Sequence, residues 1–125
     1  MSSDYTIYAR GEAPGIRAFV ERALGVQLCA PEDGTVEGVL HSEWMQVPIT
    51  FEYSHDMLDD MGIAFSAYPV AVGFSRSGLQ DDGDIREELC RSLALLLGRQ
   101  LHREACTANV VVKDSQRILE RNPSE

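Results

Sequence analysis

No stretch of this 125-residue chain approaches the roughly 20 consecutive apolar positions that a bilayer-spanning helix needs. The longest apolar run, residues 93–97, lies inside an amphipathic pattern. The opening MSSDYTIYAR has no basic segment followed by an apolar core, so no secretory signal is expected and the expected compartment is the cytoplasm. Cysteine is scarce: Cys29, Cys90 and Cys106 are odd in number, widely spaced and without a CxxC pair. That excludes a disulfide framework and a thiolate zinc site. Cys90 falls in a helical apolar pattern and is expected as a small buried hydrophobe. Phosphate-cradling glycine motifs of the GxGxxG and P-loop types are missing, as are a GxSxG elbow and HExxH. Lysine is nearly missing too, since ten of the eleven basic residues are Arg, a bias typical of GC-rich bacterial genomes.

The most informative scarcity is of positive charge in the middle of the chain. Residues 31–90 hold thirteen acids against Arg76 and Arg86 only, a net charge of −11. Residues 1–30 are neutral and residues 91–125 carry +2, which accounts for the whole-chain −9. Such a field repels nucleic acid and anionic membrane and attracts basic partners.

What remains is an ordinary globular composition, 44% hydrophobic and 25% charged, enough for one core and one α+β domain over residues 1–125. Residues 5–9 alternate strand formers and predict a first strand. Pro14 suits the first helical turn, and Ile16, Phe19, Val20, Ala23 and Leu24 recur on one helical face that Gly25 should end. Residues 26–29 suggest a short strand and 35–41 a longer one interrupted at Gly38. Val47, Ile49, Phe51 and Tyr53 alternate with polar neighbours, a half-buried strand in which Pro48 points to a sheet edge. Residues 63–74 predict another strand, bent near Pro69 and central because it is almost continuously apolar. Ile85, Leu89, Leu93, Leu96, Leu97 and Leu101 trace a long helix, with Asp84 and Glu87 spaced as a capping box. Arg99, His102 and Arg103 near its end suit the helix dipole. Residues 108–112 predict a last strand, 115–121 a short terminal helix, and 122–125 a frayed tail. The order β-α-β-β-β-α-β implies a mostly antiparallel sheet of four to six strands with two main helices on one face.

Candidate chemistry is sparse. His55, Asp56, Asp59 and Asp60 place an imidazole and three carboxylates within six residues, suited to a hard cation with help from His41 and Glu43. The spacing fits no EF-hand loop, and a solvated acidic turn is the simpler expectation. Three histidines and three cysteines allow Cys–His pairs only by chance of folding. Asp81, Asp82, Asp84, Glu87 and Glu88 cluster at the start of the long helix, where carboxylates offset the dipole but five exceed what capping requires. Trp44, between Glu43 and Met45, has the composition of an interface anchor, though it could equally fold back into the core.

With the opening DYTIYARGEAPGIRAFVERALG, the strand VPITFEYS and the helix DIREELCRSLALLLGRQL, the chain resembles the small acidic immunity proteins of bacterial polymorphic toxin and contact-dependent inhibition systems. The resemblance is one of size, charge and element order over the whole chain. It implies a single α+β domain without catalytic residues or cofactor that binds a cognate toxin, often a basic nuclease. No diagnostic motif is shared, so no functional residue carries over by position. The expected partner surface is therefore Glu43, Trp44, Met45, Asp56, Asp59, Asp60, Asp81, Asp82 and Asp84, facing a basic protein rather than nucleic acid or membrane. Two other functions fit the same residues: a small Asp/His metal-dependent enzyme, and a regulatory subunit that dimerises through residues 47–53.

Overall fold

Among the described residues the chain forms six strands, β1 (Asp4–Arg10), β2 (Val36–His41), β3 (Gln46–Glu52), β4 (Val70–Ser75), β5 (Ala108–Lys113) and β6 (Arg117–Asn122), of which β3 alternates buried and half-exposed residues while β4 and β5 are apolar on both faces. Two helices, α1 (Ala13–Leu24) and α2 (Gly83–Glu104), complete the order β-α-β-β-β-α-β-β. The computed structural model describes residues 4–29, 36–41, 46–75, 83–105 and 107–123. All six strands join one antiparallel sheet in the order β2-β3-β4-β1-β5-β6. The expected α+β class, the antiparallel sheet and the two helices are all present.

Strand register sorts side chains between two faces. Ile7 of β1 stands opposite Val72 of β4 on one side and Val111 of β5 on the other. These join Tyr5, Val47, Ile49, Phe51 and Phe74 in the main core, against Ile16, Phe19 and Val20 of α1 and Cys90, Ala94, Leu97 and Leu101 of α2. Each fully buried large side chain contributes about 1.5–3 kcal/mol of transfer free energy. α1 matches its sequence signals, with Pro14 in the first turn and Gly25 in the left-handed region at φ 66°. In α2 the seam runs through Cys90, Ala94, Leu97 and Leu101, and Leu96 points to solvent instead of joining it. Small residues hold the seam because the helix lies close to the sheet: a Cβ on Gly98 would meet Cγ2 of Val111 at 2.9 Å.

Among the described residues, the second face of the sheet is covered by the β3–β4 connection and by neither α1 nor α2. Tyr8, Ala71, Val110 and Val112 form a smaller core with Ile63 and Phe65. Residues 63–69 are therefore not strand; they cross this face through a 3-10 turn at Phe65–Ala67 before β4 begins at Val70. Their apolar character reflects this cover, although β4 itself is central, as expected.

Several other expectations are corrected. β3 is not an edge, since it pairs with both β2 and β4. Pro48 is tolerated because the ladder to β4 runs only over residues 49–52 and leaves it beyond the end. Residues 26–29 form no strand, and Cys29 makes only an isolated bridge to Glu37. Gly38 does not interrupt β2. Residues 115–121 do not form a helix, because Asp114 and Ser115 both take positive φ in a tight turn that launches β6 antiparallel to β5. Asn122, expected in a frayed tail, is buried and hydrogen-bonded to Asn109. Asp84 lies inside the first turn of α2, which opens at Gly83, and Glu87 reaches down to Tyr5 and Lys113 of the sheet.

Candidate functional site

The acidic connection between β3 and β4 is a built structure rather than a loose turn. Its base is His55, whose ring packs edge-on against Tyr8 and Phe65. Nδ1 of His55 accepts from the backbone amide of Met57 at 3.1 Å, and Nε2 faces the carbonyl of Tyr68. Both contacts are satisfied by the neutral tautomer protonated at Nε2. The backbone amide of His55 also donates to the carbonyl of Pro69 at 3.0 Å, which ties the two ends of the connection together. Met57 packs inward, and its sulfur accepts from the Tyr8 hydroxyl at 3.1 Å.

Beyond this base the chain turns back in a two-residue hairpin. Asp60 and Ile63 exchange both backbone bonds, at 3.1 and 2.8 Å. The tip residues Met61 and Gly62 both have positive φ, 53° and 74°, as a type I′ hairpin turn requires. Oδ1 of Asp60 accepts from the Met61 amide at 2.8 Å, and Oδ1 of Asp59 accepts from the Ser66 amide in the 3-10 turn at 2.8 Å. That backbone bond, followed by one from the Ser66 hydroxyl, holds the Asp59 carboxyl below the usual carboxylate range. Two of the three aspartates thus have structural duties that their composition alone concealed. Asp56 is exposed on the same connection.

The hairpin also presents two apolar side chains that the sequence argument passed over. Leu58 is 83% exposed and Met61 60% exposed. Their signal was present as apolar residues interrupting an aspartate run, with Gly62 placed for a positive-φ turn. Of the other expected contact residues, Glu43, Trp44, Met45, Asp81, Asp82 and the side chain of Asp84 lie outside the described residues. Of the expected contact residues that are described, Asp56, Asp59 and Asp60 lie exposed on this one connection.

The alternative cation-binding set does not assemble around His55 among the described residues, because both ring nitrogens face backbone partners. Among the described residues no three His, Cys, Asp or Glu side chains gather as metal ligands. The thiol of Cys90 is buried and donates to the carbonyl of Ser75 at 3.7 Å. Nδ1 of His102 lies 3.1 Å from the carbonyl of Thr107. An open cleft of about 510 Å³ lies where β1, α1 and the end of α2 meet, lined among others by Arg10, Glu12, Phe19, Arg22 and Glu104. The Arg22 guanidinium lies 5.3 Å over the Phe19 ring, and two arginines beside two glutamates leave the cleft no charge of one sign.

Among the described residues no helix is long and apolar enough to cross a membrane. Comparison with protein-family models, with curated proteins and with solved structures returned no match.

Proposed function

We propose that this chain is a non-enzymatic protein-binding domain, an immunity protein that neutralises a basic bacterial toxin in the cytoplasm through its acidic surface. One observation carries this proposal: the net charge of −11 over residues 31–90, part of which sits on the hydrogen-bonded connection between β3 and β4. A concentrated field of one sign accelerates encounter with a basic partner, to about 10⁸ M⁻¹s⁻¹ or more at low salt. It also disfavours nucleic acid and anionic lipid as ligands. A fixed hairpin needs no ordering on contact, which preserves affinity. The resemblance to small acidic immunity proteins in size, charge and element order points the same way.

The test is co-production with the product of the adjacent gene, followed by stopped-flow association at several salt concentrations. Relief of growth arrest is expected, with an association rate that falls steeply as salt rises. Charge reversal at Asp56, Asp82 or Asp84 should slow association severalfold per site while leaving dissociation nearly unchanged. Asp59→Lys and Asp60→Lys are poorer choices, because they also remove the acceptors for the Ser66 and Met61 amides. An adjacent gene that encodes no toxin, or a salt-independent association rate, would count decisively against the proposal.

A further inference from the structure

We infer that the hairpin, with the residues leading into it, is the element that enters the partner, Leu58 and Met61 being seated in an apolar pocket rimmed by lysine or arginine side chains. This rests on the basic-partner function proposed above and specifies how that partner is engaged.

Three observations converge on the tip. Leu58 and Met61 are the two most exposed large hydrophobic side chains among the described residues, at 83% and 60%, and they lie three positions apart on one short connection. Singly scattered exposed hydrophobes are normal, whereas two this exposed within four consecutive residues leave apolar surface for a partner to cover. Their setting is charged with one sign. Asp56, Asp59 and Asp60 flank them, and residues 31–75 contain no Lys or Arg at all. Exposed apolar side chains among carboxylates are complementary to an apolar pocket among basic side chains, the pairing of anchor and rim found at protein interfaces.

The third observation concerns Met61 itself. Its φ of 53° is a left-handed conformation that Gly or Asn adopts at lower cost than a long unbranched side chain does. A flexible, polarisable thioether there suits an irregular pocket on a partner.

The closing experiment uses the full chain and two synthetic peptides of equal positive charge, one alternating Arg with Leu and one alternating Arg with Ser. Binding is read by fluorescence anisotropy and mapped by amide chemical shifts. The Arg–Leu peptide is expected to bind about tenfold more tightly than the Arg–Ser peptide, with shifts concentrated in residues 56–66. Leu58→Ser and Met61→Asn, both at exposed positions, should each remove most of that preference. Met61→Asn should at the same time leave the protein at least as stable, which separates lost contact from lost fold. Equal binding of the two peptides, or a preference that survives both variants, overturns the tip inference while leaving a basic partner in place. If neither peptide binds, the proposed function falls with it. Sedimentation that shows a dimer abolished by Leu58→Ser would also overturn the inference, since the tip would then serve a second copy of this chain.

Discussion

Asn122 donates its side-chain amide to Oδ1 of Asn109 at 3.0 Å, joining β6 to β5 on the helix side of the sheet. Asn109 is wholly buried, and its own amide donates to the Gly98 carbonyl of α2 at 2.9 Å. This short chain of polar groups fixes the final strand to the long helix inside an otherwise apolar layer. A buried network of this kind is stable only while every member stays satisfied.

Asn109→Leu should therefore destabilise the fold by about 1–3 kcal/mol, the scale of leaving buried polar partners unpaired. Gly98→Ala is the sharper case. In an exposed helix that change adds about 1 kcal/mol of stability. Here the new methyl would meet Val111 at 2.9 Å and Oδ1 of Asn109 at 3.1 Å, so a net loss of about 1–3 kcal/mol is expected. Urea unfolding of the two variants checks both, and a more stable Gly98→Ala protein would contradict the close approach.

Tyr5 sets an alkaline limit. Burial, then its hydrogen bond to Glu87 and the charge of that carboxylate, push the Tyr5 hydroxyl up to about 12 from 10.0. A folded value above the unfolded one means the stabilising contribution is complete below pH 10. It is lost as pH rises from there through about 12, because the unfolded chain gives up its proton first. Unfolding midpoints measured across that window should fall in the wild type and fall less in Tyr5→Phe. Some slope should remain, since burial raises the Tyr8 hydroxyl as well.

His55 anchors the hairpin, and its nitrogens predict a measurable tautomer. Long-range ¹H–¹⁵N spectra should place the proton on Nε2, with Nδ1 unprotonated toward the Met57 amide. His55→Ala should cost about 1–3 kcal/mol and speed amide exchange over residues 55–69, while the β1–β5 ladder stays protected. Uniform exchange changes across the sheet would show that the connection is not a separable unit.

Met61→Asn should raise stability by about 1 kcal/mol, by removing a side chain that disfavours positive φ. Thermal unfolding measures it directly. A destabilised variant would mean that Met61 makes stabilising contacts despite its exposure.

The elements that sequence alone specified are those whose signals are local. Pro14, the Ile16–Phe19–Val20 spacing and Gly25 define α1 without reference to any partner, and the alternation of Val47, Ile49 and Phe51 defines the two faces of β3. The acidic excess is also a property of composition, legible before any folding. Pairing decisions were not legible. Residues 63–69 are apolar because the second face of the sheet needs cover, and an apolar run looks the same whether it becomes strand or lid. Residues 117–122 became a strand because the tight turn at Asp114–Ser115 delivers them to the free edge of β5. β3 became an inner strand because β2 and β4 lie on either side of it. Tertiary structure alone decided that Asp59 and Asp60 hold the hairpin together and that Leu58 and Met61 face solvent. Burial is set by neighbours distant in sequence, and charge is carried by each residue itself.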